Sequence, residues 1–259
     1  MTYTETDLIG TIEERTAEHI GALSRAQLDD IDQFHAGGTA AVDRLLPSLR
    51  LGPGMTALDV GSGLGGPARQ VARSTGCSVL GVDITPSYVE TAAALTRAVG
   101  PADRVEFHCT DVSGLDRSDF EAAYTIHVQM NVADKGAFFA AIAARLKPGA
   151  RLAVFEVCRA GRGDPDLPLP WSIDGTDSFL ATPDELRGCI EASGFETVEW
   201  ADETGWALEW FHQVGARMTQ GGPATLPTLL TGGVTRVLNF AGGMNTGILT
   251  VHRGSFTRR

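Results

Sequence analysis

The chain has 259 residues, 43% of them hydrophobic and 20% charged, which suits one globular domain with a helical cap. Its formal net charge is −11 and no Lys/Arg stripe runs along it, which argues against a nucleic-acid partner and against anionic membranes. Four scattered cysteines, Cys77, Cys109, Cys158 and Cys189, make no C-x-x-C pair, so zinc and dithiol readings fail and free thiols in a reducing cytoplasm are expected.

Residues 1–7 lack a basic patch and a long apolar core, so no signal peptide is expected, and the longest apolar stretches are too short to span a bilayer. Leu8, Ile9, Ile12, Ile20 and Leu23 recur near helical spacing. Ser24 with Gln27 makes a capping box for a second short helix, which leads into Asp32-Gln33-Phe34-His35-Ala36-Gly37-Gly38. A third helix runs up to Leu46-Pro47. Residues 1–50 read as a helical cap, and residues 51–259 as the core, with a second helical insertion near 160–245.

The core opens with Ala57-Leu58-Asp59-Val60-Gly61-Ser62-Gly63-Leu64-Gly65-Gly66-Pro67-Ala68. An apolar run, a glycine-rich turn and a helix start follow one another. Gly61, Gly63 and Gly65 let backbone N–H groups approach a ligand closely, and the helix end favours a carboxylate or phosphate. A second strand, residues 78–83, ends in Asp83, placed to accept both hydroxyls of a ribose. Thr85-Pro86-Ser87 opens its helix and Gly100 closes it. A third strand at 104–109 precedes Thr110-Asp111-Val112. Three successive strands thus carry a loop or a carboxylate at their C-terminal ends, which in an open parallel sheet line one crevice.

A fourth strand at 122–126 is followed by Asp134, the cap of a helix bearing Phe138, Phe139 and Ile142. The fifth strand, 151–157, is mostly apolar, as a buried central strand should be. A Gly/Pro/Asp-rich loop spans 161–174. Thr182-Pro183-Asp184-Glu185 is a second capping box, for a helix ending near Gly194. Then come a strand at 197–200, helical residues over 205–240 interrupted by Gly221-Gly222-Pro223, and a last strand at 247–256.

With these pieces in view the chain resembles the class I S-adenosylmethionine-dependent methyltransferases. The resemblance rests on Leu58-Asp59-Val60-Gly61-Ser62-Gly63-Leu64-Gly65, on Gly81-Val82-Asp83, on Thr110-Asp111-Val112, and on Lys147-Pro148-Gly149 ahead of the fifth strand. It covers residues 30–205 well and the C-terminal part loosely, and is most like the small-molecule enzymes of the sarcosine/dimethylglycine, sterol and tocopherol kind. It implies an α/β three-layer sandwich around a Rossmann-like, seven-stranded, mostly parallel sheet whose last strand is antiparallel. It also implies S-adenosyl-L-methionine as cofactor and N-terminal segments that cover it. In that frame Asp59 supports the glycine loop and the methionyl amino group, and Asp83 holds the ribose. Asp111 and the Val112 amide meet the adenine, with Ile84 packing on its face.

Methyl transfer needs alignment, exclusion of water and, for a protonated nucleophile, a base. The position after the fourth strand faces the methyl group in the resembling enzymes, which makes His127 the first candidate base. Glu156, at the end of the fifth strand and expected at the crevice mouth, is the second. Gln129 is open between the methionyl moiety and a loop carbonyl. His35, just ahead of Gly37 and Gly38, suits a lid over the cofactor. Trp171, Phe179, Trp206, Trp210 and Phe211 could line an apolar acceptor pocket. No His/Asp cluster has metal-ligand spacing, so no metal is expected. The acceptor stays open among N, O and C atoms of a small molecule, and the oligomeric state is open too. Two rivals remain: a cyclase, isomerase or binding protein on the same fold, and an NAD(P)-dependent oxidoreductase, which lacks its Tyr-x-x-x-Lys pair here.

Overall fold

A computed structural model describes residues 7–219, 229 and 231–259. Seven strands form one sheet in the order β3-β2-β1-β4-β5-β7-β6. They are β1 (Thr56–Val60), β2 (Ser78–Asp83), β3 (Val105–Cys109), β4 (Phe120–Ile126), β5 (Leu146–Arg159), β6 (Phe195–Asp202) and β7 (Leu249–Arg258). The pairs among β1 to β5 are parallel, and β7 runs antiparallel to both its neighbours. The seven-stranded, mostly parallel α/β sandwich is therefore the fold observed.

Alternation along the strands splits the core between the two faces. Ala57, Val79, Tyr124 and Phe155 meet α3 (Gly38–Leu49) and α4 (Gly66–Thr75) on one face. Leu58, Leu80, Ala123 and Val154 meet α6 (Lys135–Arg145) and α7 (Pro183–Ala192) on the other. Beside α4, α5 (Pro86–Val99) packs against β3 and β2. Of the first fifty residues, α1 (Leu8–Thr16) and α2 (Arg25–Ile31) form a separate cluster over Leu64, Tyr88 and Leu95, whereas α3 lies in the sheet's helical layer through Ala41, Val42, Leu45 and Leu49. Within 160–245, residues 183–202 likewise complete the sheet and its far layer, and the cavity walls come from the 160s–170s loop, α8 (Thr204–Thr219) and α9 (Gly233–Asn245).

Local signals hold at most helix starts. Ser24/Gln27 and Thr182/Glu185 close reciprocal capping boxes, and Asp134 accepts from Ala137 N. Thr85 stands at the N-cap of α5 without a side-chain cap bond. The fifth strand begins earlier than its apolar run, so Lys147-Pro148-Gly149 lies inside β5 rather than ahead of it. Gly221-Gly222-Pro223 falls outside the described residues.

Candidate active site

The C-terminal ends of β1, β2 and β4 open onto a cavity of ≈ 1440 Å³. Small-ligand sites run to about 300–1,000 Å³, so there is room for two ligands side by side. Gly61, Gly63, Asp83, Ile84, Asp111 and Val112 line one part. Trp171, Trp210, Phe211 and Phe240 line another, and His35 and His127 also face the cavity. Asp59, Gly65, Gln129 and Glu156 are not among its lining residues.

The glycine loop is pinned to β2, with the Gly61 and Ser62 amides donating to Val82 O at 2.8 and 3.0 Å. Asp83 ties down the rest. Its Oδ2 accepts from Gly63 N and its Oδ1 from Thr85 N, both at 2.9 Å. Gly63 has φ 52°, and a Cβ built on it would meet nothing within 4 Å. That open backbone beside a carboxylate is a cradle which a side chain would fill. Gly65 has a different reason to be glycine, since a Cβ there would strike the Phe107 ring. Ile84 lines the cavity edge, 71% exposed. Asp111 accepts from Ser113 N at 2.6 Å and Gly114 N at 3.1 Å, and hydrogen bonding by Ser113 and Gly114 holds its carboxyl below the usual range.

Asp59 is buried behind the loop, on the α4 face that Ala57 shares. Burial, with Asp83 nearby, pushes its carboxyl up to about 8 against the pull of Tyr124. The group sits under the loop and off the cavity wall. His35 is buried in the turn after α2, its Nδ1 near Ala36 O (3.1 Å) and its Nε2 near Gln33 Oε1 (2.9 Å). Burial lowers its pKa to about 4.

His127 follows β4 in a left-handed conformation, φ 53°, with its N–H donating to Phe155 O at 2.8 Å. Its ring meets the Phe240 ring edge-on at 5.8 Å and the His35 ring at 6.1 Å. Burial, and His35 beside it, hold the imidazole well below its usual pKa, so it is neutral at neutral pH. Its Nε2 has no hydrogen-bond partner among the described residues. A buried polar atom left so calls for a ligand or water.

Glu156 does not reach the crevice mouth. Phe155 points to the α3 face, so strand alternation sends Glu156 to the other one. There, fully buried, its Oε2 accepts from Val128 N (2.9 Å) and Gln129 N (3.2 Å), and its Oε1 from Thr125 Oγ1 (3.1 Å). Burial pushes its carboxyl up to about 7 against those bonds. Gln129 is also buried, its amide donating to Val157 O. Both residues brace the segment after β4 from behind.

Of the five aromatics expected at an acceptor pocket, Trp171, Trp210 and Phe211 line the cavity. Trp206 packs edge-on to Phe155 with Arg44 over its ring, and Phe179 is exposed. Phe240 escapes sequence reasoning because nothing in α9 distinguishes it from a core phenylalanine. It touches the rings of Trp171 (5.3 Å) and Phe211 (5.5 Å) edge-to-face, joining three chain segments into one wall. Among the described residues no group of three or more His, Cys, Asp or Glu side chains is placed to hold a metal ion.

Residues 57–149 match the family model of a methyltransferase domain. Methyltransferase GfsG of Streptomyces halstedii is 28% identical over 204 residues, 76% of this chain and 69% of that protein. Other curated relatives are matched over less of their own length, 60% and 58% for two O-methyltransferases of Pyrenophora dematioidea and Aspergillus sclerotiorum. Geranyl diphosphate C-methyltransferase from Streptomyces coelicolor A3(2), solved with S-adenosyl-L-homocysteine, superposes with a TM-score of 0.71 at 18% identity over 100% of this chain and 95% of that one. The [4+2]-cyclase SpnF superposes at 0.67 and 24% identity over 97% and 93%. At such identities the structural likeness bears on the fold alone.

Proposed function

We propose that this chain is an S-adenosylmethionine-dependent methyltransferase, as its methyltransferase-domain match and its curated relatives support, and that it methylates a hydroxyl or amine of a small-molecule acceptor, with His127 taking the proton. The observation that carries the reading is one continuous cavity, with an open glycine–carboxylate cradle and an aromatic wall, and on its lining a neutral imidazole whose Nε2 has no hydrogen-bond partner among the described residues.

The residues present fit the cofactor. Asp83 would hold the ribose hydroxyls, and Gly61 and Gly63 would give their backbone to the methionyl side. Ile84 and Val112 would flank the adenine, with Asp111 at its edge. His35 would close the site from the turn after α2. Asp59, Gly65 and Gln129 would act indirectly, by supporting loop and segment. When bound, the cofactor supplies a methyl group already activated as a sulfonium. The chain's own work is to hold the acceptor in line, to exclude water with its aromatic rings, and to accept a proton at His127; alignment alone can supply about 7–11 kcal/mol in the best cases. The aromatic wall suits an acceptor with an apolar body. Four free cysteines and an acidic surface fit a cytoplasmic protein without nucleic-acid partners. No described helix is long and apolar enough to cross a membrane.

Methyl-labelled S-adenosylmethionine offered with neutral alcohols, phenols and amines tests the proposal. Label should appear in an acceptor, and far less of it with His127→Ala. Conversion of an added substrate with no label transferred would favour cyclase or isomerase chemistry on the same fold.

A further inference from the structure

Arg69 stands on the first turns of α4, fully buried. Its guanidinium reaches three separate parts of the chain. Nη2 donates to Asp32 Oδ2 at 2.7 Å and to Leu64 O at 2.6 Å. Nη1 donates to Thr96 Oγ1 at 2.8 Å and to Ala92 O at 3.2 Å, both on α5. Asp32 caps the end of α2, and the next residues, Gln33 to Ala40, wall the cavity. Leu64 lies between Gly63 and Gly65 in the glycine loop. Neither Asp32 nor Arg69 lines the cavity itself.

A second feature draws the same two segments together. A Cβ on Gly66 would come within 2.6 Å of both Asp32 O and Asp32 Oδ1. Glycine at the start of α4 therefore lets the end of α2 sit directly on that helix terminus, whose dipole favours the Asp32 carboxylate. A guanidinium is a planar fork with fixed directions, so one that serves two segments at once fixes their relative orientation.

We propose that Asp32 and Arg69 are positioning residues that hold the Gln33–Gly38 wall in register with the glycine loop, so that one buried ion pair sets both sides of the cofactor site. The inference rests on the cofactor reading above. Breaking the pair should loosen the wall and weaken the ligand that needs both sides, because the ligand must then pay for ordering them.

The test uses the full chain and S-adenosylhomocysteine, with no turnover. Asp32→Asn keeps shape and removes the charge. Its affinity by calorimetry should fall tenfold or more, and hydrogen exchange over 33–38 should be faster than in the wild-type complex. Arg69→Lys keeps the cation but cannot span both segments, and should fall between wild type and Asp32→Asn. Should Asp32→Asn fail to fold, Asp32→Glu, which lengthens the same link, should show a milder loss of affinity with the same faster exchange. A lowered unfolding temperature with unchanged affinity and unchanged exchange at 33–38 would overturn the proposal and leave the pair a packing element. A wild-type chain that takes up no S-adenosylhomocysteine would remove the cofactor reading, and this inference with it.

Discussion

His127 lies flat on Phe155, ring centroids 5.6 Å apart and planes 6° apart, and this stacking fixes the imidazole in an apolar seat. The left-handed backbone at His127 turns the chain just where β4 ends, so the ring lies over the next strand instead of continuing the pleat. Such a seat disfavours the charged form. His127→Ala should lower turnover of a hydroxyl or amine acceptor by about 10²-fold or more and leave S-adenosylhomocysteine affinity nearly unchanged. The working form is the neutral one and the pKa is lowered, so activity is lost only when pH falls well below the usual histidine value. The rate profile should be flat from about pH 6 to about pH 8, without the inflection near 6.5 that an exposed histidine would give.

Glu156 acts on the same segment from the opposite face. Replacing it with Ala leaves the Val128 and Gln129 amides and the Thr125 hydroxyl without their acceptor. Buried donors stranded in this way cost about 1–3 kcal/mol each, so a loss on the order of 3 kcal/mol is expected by urea unfolding. The folded pKa of about 7 lies above the ordinary carboxyl value of 4.5, so the folded state binds the extra proton between them. Stability from this group is fully present below the lower value and is lost as pH rises through about 7. Glu156→Gln removes the titration. The gap between wild type and this variant should therefore change in the variant's favour as pH rises, by up to about 3 kcal/mol.

Two glycines of one loop should separate stability from binding. Gly65→Ala drives a methyl group into Phe107 at a positive φ and should chiefly lower the unfolding temperature. Gly63→Ala meets open space, so its stability cost is only that of a left-handed alanine, about 1–2 kcal/mol. Its larger effect should be on S-adenosylhomocysteine affinity, read by calorimetry. Equal losses of affinity in the two variants would mean that the open cradle has no special role.

The sequence made the sheet and the glycine-loop side of the cavity legible, because strand-end carboxylates and glycine turns are local signals. Asp83 and Asp111 stand where their strands end, and the two capping boxes start their helices. Orientation was harder. The fifth strand is apolar on both faces, so its pattern carries no phase, and Glu156 could be assigned to the wrong side. Helix α3 shows its buried stripe at Ala41, Val42, Leu45 and Leu49, yet sequence position alone grouped it with the cap. Arg69 and Phe240 owe their roles to contacts distant in sequence, Asp32 and Thr96 for one and Trp171 for the other, which no local pattern announces.

The glycine loop and Asp83 are proposed to hold S-adenosylmethionine between them. Titration of S-adenosylhomocysteine into wild type and Asp83→Ala by isothermal calorimetry, with NAD as the control, tests it most directly. Wild type should bind in the micromolar range, about −8 kcal/mol. The variant should lose about 1.5–3 kcal/mol, since a charged acceptor is removed from the ribose hydroxyls. NAD should give no heat. Equal affinity in the two proteins, or tighter binding of NAD than of S-adenosylhomocysteine, would contradict it.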